Sequence, residues 1–251
     1  MKQNVFKSIE KSISPARLST YANHSKSNAQ LIANYVLNAR ISENFYFLLQ
    51  NLEVSLRNAI YDGFKLHYPT EDFFYLHETN PRNRYLSRHE IHDRECWKML
   101  CGAKHSLRNT TINDGKIIAE LNFGFWTKLL LSTDKRYTKM WRKIFPEIFP
   151  HYIIIHSIDH DKGLIGSKID AVRLLRNRIF HYEPIFNHAN LEQLHKDILE
   201  ILGWINQDMQ SLSLIFDEFD FIGIEKSFIQ KQLRGNLPNK KPKKKFCRKK
   251  L

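Results

Sequence analysis

Long apolar runs are absent from this 251-residue chain. No segment approaches the roughly 20 apolar residues that a membrane-spanning helix needs, and the opening MKQNVFKSIEKSIS lacks the apolar centre of a secretory signal. Three cysteines in a chain of this length make no disulfide framework and are typical of a reducing compartment. We therefore expect a cytoplasmic protein without a membrane span.

Strand patterns are also scarce. The one strand-like run, HYIIIHSI at 151–158, is too short and isolated to build a sheet. Apolar residues instead recur at helical spacings, most clearly after Ser42, where one helix face holds Phe45, Leu48, Leu49, Leu52, Leu56, Ala59 and Ile60. Other helices are predicted from Pro15 toward Tyr21, over 27–40, 116–131, 192–205 and 208–219, near Trp141, and after a turn-rich DHDKG at 159–163. Because 42% of the residues are apolar, the sequence predicts an all-α helical bundle with a buried core.

Acidic residues are missing from the last 21 positions, 231–251, which hold ten lysines and arginines. The net charge of +13 therefore leaves 29 basic and 26 acidic residues, or +3, for 1–230. We expect a helical domain over 1–230 and a disordered basic tail. RNA is the favoured partner, since such a run attracts phosphates without reading sequence. A solubilising tail with no fixed partner stays open, as does, more weakly, an acidic membrane surface. The candidate RNA-binding residues are Lys240, Lys241, Lys243, Lys244, Lys245, Arg248, Lys249 and Lys250.

The stretch RNRIFHYEPIF, 176–186, concentrates polar groups at a predicted helix end. Arg176, Asn177, Arg178 and His181 lie within six residues. Pro184 cannot continue a helix and disfavours the α conformation in the residue before it, so the helix should end close to His181. The imidazole is therefore predicted to lie in the last helical turn.

Helical periodicity divides this helix into two faces. At about 100° per residue, the core face holds Ile165, Val172, Leu175 and Ile179, and the opposite side holds Asp170, Asn177 and His181. Arg176 lies about 140° from His181 around the helix. Joint action of these two side chains therefore requires the reach of the arginine, a distorted helix end or a partner subunit.

These residue types suit RNA cleavage. A histidine can accept and donate protons near neutral pH, and a guanidinium can pair with two phosphate oxygens. The 2′-hydroxyl of RNA is a built-in nucleophile, so no metal is obligatory. A histidine and an arginine at a helix end are, however, also typical of a dipole contact and an ordinary ion pair. That interpretation stays open on spacing alone.

The motif resembles the Arg-Asn-x-x-x-His signature of HEPN-type proteins, in the form carried by the Abi-like (abortive infection) family. Similar segments are ISPARLSTY near the start, NLEVSLRNAI at 51–60, AELNFGFWTKLL at 119–130, the Trp and FP pair at 141–150 and WI at 204–205. The resemblance implies an α-helical HEPN domain that forms a homodimer, in which the Arg and His of both protomers share one cleft. It further implies a metal-independent ribonuclease toxin of phage defence, without a cofactor.

The resemblance assigns roles residue by residue. Arg176, Asn177 and His181 would be catalytic, supported by Arg178, Glu183, Glu53 and Arg57. Glu53 and Arg57 match the family's Glu-x-x-Leu-Arg-Asn segment, although a simple helix-stabilising ion pair explains them equally well. Tyr182 stands where the family often has a second histidine. The alternative function is a non-catalytic RNA-binding HEPN module that holds a structured or antitoxin RNA.

Two other groups of residues are interpreted as structural. His89, His92, Cys96, Cys101 and His105 match no standard zinc spacing, so we predict a surface helix with chance histidines and no metal. FGFW at 123–126 is predicted to be core packing and not a base-stacking platform.

Overall fold

A computed structural model describes residues 1, 3–74, 88–132, 135–219 and 229, with only the backbone at 88–94 and 135–137. Across these ranges the regular secondary structure is helical and contains no β-strand, so the all-α prediction is confirmed at that level. No helix in the described part of the chain is both long and apolar enough to cross a bilayer. The helices are α1 Gln3–Ile13, α2 Pro15–Ala22, α3 Asn28–His67, α4 Arg88–Ser106, α5 Asp114–Glu120, α6 Phe123–Leu131, α7 Lys135–Ile148, α8 Ile158–Phe180, α9 Leu191–Ile205 and α10 Gln207–Ile215.

The described residues form two compact units, and the first is Met1–Ile41. Its small core joins Phe6 of α1 to Leu18 of α2 and Ile32 of α3. The hydroxyl oxygen of Ser14 accepts the backbone N–H of Arg17 and so caps α2. The predicted helix start at Pro15 is therefore confirmed, whereas α1 was not anticipated.

The predicted break at Ser42 is wrong, because α3 runs without interruption for 40 residues. The chain from 28 to 62 contains neither glycine nor proline, so no residue forces an end there. Ile41 and Phe45, on either side of Ser42, are both buried. Burial on both sides stabilises the continuous helix more than an N-cap at Ser42 would.

The second unit is Ser42–Phe219, and α8 runs through its core. The predicted core face of α8 is confirmed, as Ile165, Val172, Leu175 and Ile179 are all buried. Helix α6 packs closely on α8 at Gly166, where a Cβ atom would lie 2.9 Å from Cδ2 of Leu131. The predicted apolar face of the second half of α3 is buried as well, apart from a half-buried Ala59.

Two helix boundaries in this unit differ from the prediction. The run 116–131 splits into α5 and α6, because the side chain of Asn122 accepts the N–H of Phe125 and starts a new helix. The DHDKG stretch is not a turn but the beginning of α8, which Ser157 caps by accepting the N–H of His160. Helix α7 passes Pro146 before it ends at Ile148.

The segment 151–157 is non-helical and leads into α8. The interpretation of HYIIIHSI as too isolated for a sheet is confirmed, since no strand forms in this stretch. Ile153 and Ile155 are exposed, as expected of a connection that crosses the surface.

Candidate functional site

Helix α8 ends at the motif in a Schellman turn. His181 is the C-cap, and the N–H of Tyr182 donates to the carbonyl of Ile179 at 3.0 Å. The N–H of Glu183 donates to the carbonyl of Arg178 at 2.8 Å, which completes the pattern. Tyr182 occupies the left-handed position, with φ 56°, where glycine is usual. The prediction that the helix ends close to His181 is confirmed.

Arg178 and Glu183 hold this turn together. Nη2 of Arg178 donates to the carbonyl oxygen of Pro184 at 3.2 Å, and its Nε lies 3.4 Å from a carboxylate oxygen of Glu183. Both side chains are partly exposed, so the ion pair itself contributes no more than about 1 kcal/mol. Their position makes them supports for the backbone that carries His181.

A groove of about 220 Å³ lies between the second half of α3 and the end of α8. It is lined by Tyr46, Leu49, Gln50, Glu53, Val54, Arg57, Arg176 and Phe180. Three of the residues predicted for the site, Glu53, Arg57 and Arg176, therefore come together although they lie on two helices.

Glu53 is the charged centre of the groove. One of its carboxylate oxygens lies 3.5 Å from Nε of Arg176, and its carboxylate also accepts the backbone N–H of Phe123, the first residue of α6. Burial raises the pKa of Glu53, and the charges of Arg176 and Arg57 together with the Phe123 N–H offset this only in part. The ion pair of Glu53 thus reaches across to α8 and is more than a local pair within α3.

Two buried arginine nitrogens make no hydrogen bond. Nε of Arg57 and Nε of Arg176 are buried and have no hydrogen-bond partner among the described residues, although Nε of Arg176 lies 3.5 Å from the carboxylate of Glu53. A buried donor without an acceptor costs about 1–3 kcal/mol.

Two partly exposed aromatic side chains lie in the groove with Arg176. The guanidinium carbon of Arg176 lies 4.3 Å from the ring centre of Phe180, and this ring stacks on Tyr46 at 5.7 Å with an angle of 23°. Tyr46 and Phe180 are 53% and 42% exposed. Sequence reasoning missed both residues. Two features of the sequence could have identified them. Phe180 follows Arg176 by four residues, about one helical turn, and Tyr46 follows the core residue Phe45 and so lies away from the apolar face of α3.

Asn177 and His181 do not line the groove. Asn177 is half-buried and His181 is exposed. The wide angle predicted between Arg176 and His181 agrees with this separation. Within one chain, Arg176, a residue type that can bind phosphate, and His181, a residue type that can transfer protons, therefore lie on different sides of α8.

The remaining predicted groups fall into two classes. Phe123, Phe125 and Trp126 are fully buried, so the core interpretation of FGFW is confirmed. Cys96 is buried against the Phe125 carbonyl, whereas Cys101 and His105 are exposed. The side chains of His89 and His92, and the basic residues of the tail at 231–251, lie outside the described residues.

Comparisons with protein-family models, with curated proteins and with solved structures found no match to this chain. The functional interpretation therefore depends on the residues and on the geometry described above.

Proposed function

We propose that this protein is a metal-independent RNA endonuclease of the HEPN type, in which the groove binds the RNA backbone and His181 transfers protons. The observation that carries the proposal is the pair of half-buried arginines, Arg57 and Arg176, that line one groove beside an exposed aromatic stack. A role as a toxin in phage defence is part of the proposal and rests on the resemblance to the Abi-like family.

The arginines favour a phosphate ligand. A guanidinium presents a planar fork of donors that matches phosphate oxygens, and partial burial strengthens such bonds. Glu53 now holds Arg176 from one side at 3.5 Å. A phosphate would approach from the open side of the groove and pair with the guanidinium groups of Arg57 and Arg176.

The aromatic stack favours a nucleic acid over a simple phosphorylated metabolite. Tyr46 and Phe180 are both exposed at the groove, next to the guanidinium of Arg176. An unpaired base can stack on such a ring while its phosphate contacts the neighbouring cation. Single-stranded RNA supplies both groups at this spacing.

The proposed reaction is an internal transfer at phosphorus. The 2′-oxygen attacks the adjacent phosphorus as its proton passes to one imidazole, and the bond to the 5′-oxygen breaks as that oxygen gains a proton. The products are a 2′,3′-cyclic phosphate and a free 5′-hydroxyl, so no oxidant, metal or water is consumed. One His181 accepts the first proton; the second comes from His181 of another copy of the chain in a homodimer. This arrangement would also bring an Arg176 and a His181 into one cleft.

One observation favours a second candidate, the non-catalytic RNA-binding module. Arg176 lines the groove while His181 does not, and Glu53 already pairs with the arginine. In that case the groove would hold a structured or antitoxin RNA without cutting it.

The test is His181→Ala, with His105→Ala as the matched control. His105 is likewise an exposed histidine in the last turn of a helix, α4. General acid and base catalysis is worth between about 100-fold and 10,000-fold, so His181→Ala should lower cleavage by that factor and leave RNA affinity within about threefold. The readout is the appearance of 2′,3′-cyclic phosphate ends on labelled RNA in the presence of EDTA.

The control variant should cleave like the wild type. RNA binding without cyclic phosphate ends in the wild type would support the binding module instead. Equal loss in both histidine variants would remove the case for His181.

A further inference from the structure

Two histidines and an aspartate meet at the start of α8, at the opposite end of that helix from the motif. Nδ1 of His156 lies 3.0 Å from Oδ1 of Asp161, and Nδ1 of His160 lies 3.5 Å from the same oxygen. The two imidazole rings are 4.4 Å apart between their centres. Sequence reasoning passed over this group, because it treated 159–163 as a turn.

The distances suit a shared metal ion. Zinc binds nitrogen and oxygen ligands at about 2.0–2.2 Å, so tetrahedral ligands are separated by roughly 3.3–3.5 Å. The separations of 3.0 Å and 3.5 Å bracket that range. Ligand atoms of all three side chains lie within 4.8 Å of one another.

The donor types select the class of metal. Two imidazole nitrogens with one carboxylate oxygen are a set that zinc, iron, cobalt and nickel accept. Calcium and magnesium prefer oxygen ligands alone. The group is thus matched to a divalent transition metal.

Hydrogen bonds fix the orientation of the Asp161 carboxylate, as they do for carboxylates that bind metal ions. Its other oxygen, Oδ2, accepts the N–H groups of Ile155 at 2.8 Å and His156 at 3.3 Å, and the carboxylate also accepts the hydroxyl of Tyr152. Oδ1 is thereby directed at the two imidazoles. Such outer partners orient metal ligands in proteins.

The cluster is open to solvent. The side chains of His156 and His160 are 55% and 54% exposed, so an ion can enter from solvent.

We propose that His156, His160 and Asp161 form a binding site for one zinc-like divalent transition-metal ion. The ion would tie the non-helical segment 151–157, which carries His156, to α8, which carries the other two ligands. The site lies about 32 Å along α8 from His181, given 1.5 Å per residue. It is independent of the proposed RNA cleavage and is expected to be structural.

The experiment titrates tag-free protein with Co²⁺ and then displaces it with Zn²⁺, using visible absorption and calorimetry. His156→Gln and His160→Gln are suitable variants because both side chains are exposed. His151→Gln is the matched control, since His151 is exposed in the same non-helical segment but outside the cluster. The wild type and the control should bind one ion with the intense absorption of low-coordinate cobalt. Each cluster variant should weaken binding at least tenfold.

Equal affinity and equal spectra in the wild type and both cluster variants would overturn the proposal. Weak binding with only the pale spectrum of hexahydrated cobalt in all four proteins would do the same. Either result would leave the three side chains as a hydrogen-bond network that caps α8.

Discussion

The two ends of α8 differ in how completely the hydrogen bonds of their polar groups are satisfied. At the start, the buried carboxylate of Asp161 accepts two backbone N–H groups and faces two imidazoles. At the end, Arg176 keeps a buried Nε that makes no hydrogen bond, 3.5 Å from the carboxylate of Glu53, and Tyr182 holds a backbone conformation that glycine would adopt more easily. One end satisfies its polar atoms internally, while the other leaves donors and an unfavourable backbone angle in place.

The difference indicates where stability and where binding are located. An unsatisfied buried donor and a left-handed non-glycine residue each cost about 1–3 kcal/mol, and such costs collect at functional sites. A ligand with acceptor oxygens would recover the first of them. The start of α8 therefore contributes to the integrity of the fold, and its end carries the groove for which we propose RNA binding.

The largest effect on stability is expected for Asp161→Asn. The amide cannot carry the charge that faces the two imidazoles and the backbone N–H groups, so Tm should fall by roughly 5–10 °C. Asp159→Asn is the control, because Asp159 is only partly buried and pairs with Arg142 at 2.8 Å, and it should change Tm by less than about 2 °C. Scanning calorimetry of both variants at neutral pH provides the comparison.

The same substitution has a pH signature. The pKa of Asp161 in the folded protein is about 2, below its ordinary 3.8, so its contribution is present above pH 3.8 and is lost as the pH falls toward 2. The gap in Tm between wild type and Asp161→Asn should narrow over that window. A gap that stays constant would show that the charge of Asp161 is not the cause.

A smaller effect, on binding and not on stability, is expected for Arg176→Ala. Loss of the guanidinium for which we propose phosphate binding should weaken RNA affinity about tenfold at fixed salt. Arg173→Ala is the control on the same helix, since Arg173 is engaged by Asp170 at 2.7 Å and does not line the groove. Fluorescence anisotropy with a short single-stranded RNA measures both variants. Equal losses would mean that α8 attracts RNA by general charge and not through the groove.

The smallest effect is expected for Tyr182→Gly. Glycine removes the cost of the left-handed conformation but adds freedom to the unfolded chain, so the net gain should be about 0.5 kcal/mol, or roughly 2 °C in Tm. Glu183→Gly, one residue later and without a positive φ, should not raise Tm. A lower Tm for Tyr182→Gly would show that the tyrosine side chain stabilises the turn more than its backbone angle costs.

Local patterns predicted those features that depend on neighbours in sequence. The apolar spacing of Ile165, Val172, Leu175 and Ile179 identified the buried face of α8, because 3.6 residues per turn places them together in any helix. Pro184 and the residues before it predicted the end of α8, because proline excludes helical continuation. The Ser14–Pro15 start of α2 followed from the same kind of local rule.

Helix boundaries inside the core were predicted less well. Ser42 and Asn122 are both good N-cap residues, yet only Asn122 starts a helix. Burial on both sides of Ser42 keeps α3 continuous, and this burial depends on distant parts of the chain. Packing therefore determines which of these two N-cap residue types begins a helix.

The sequence by itself determined an all-α chain and the residue types of the motif, since helical periodicity, proline and charge act over a few neighbouring positions. Only the tertiary structure decided that Glu53 pairs with Arg176, that Phe180 stacks on Tyr46, and that His181 stays outside their groove. It also decided that His156 reaches the carboxylate of Asp161. Each of these contacts depends on how one segment lies against another, and side-chain chemistry acts over a few ångströms in space irrespective of separation along the chain.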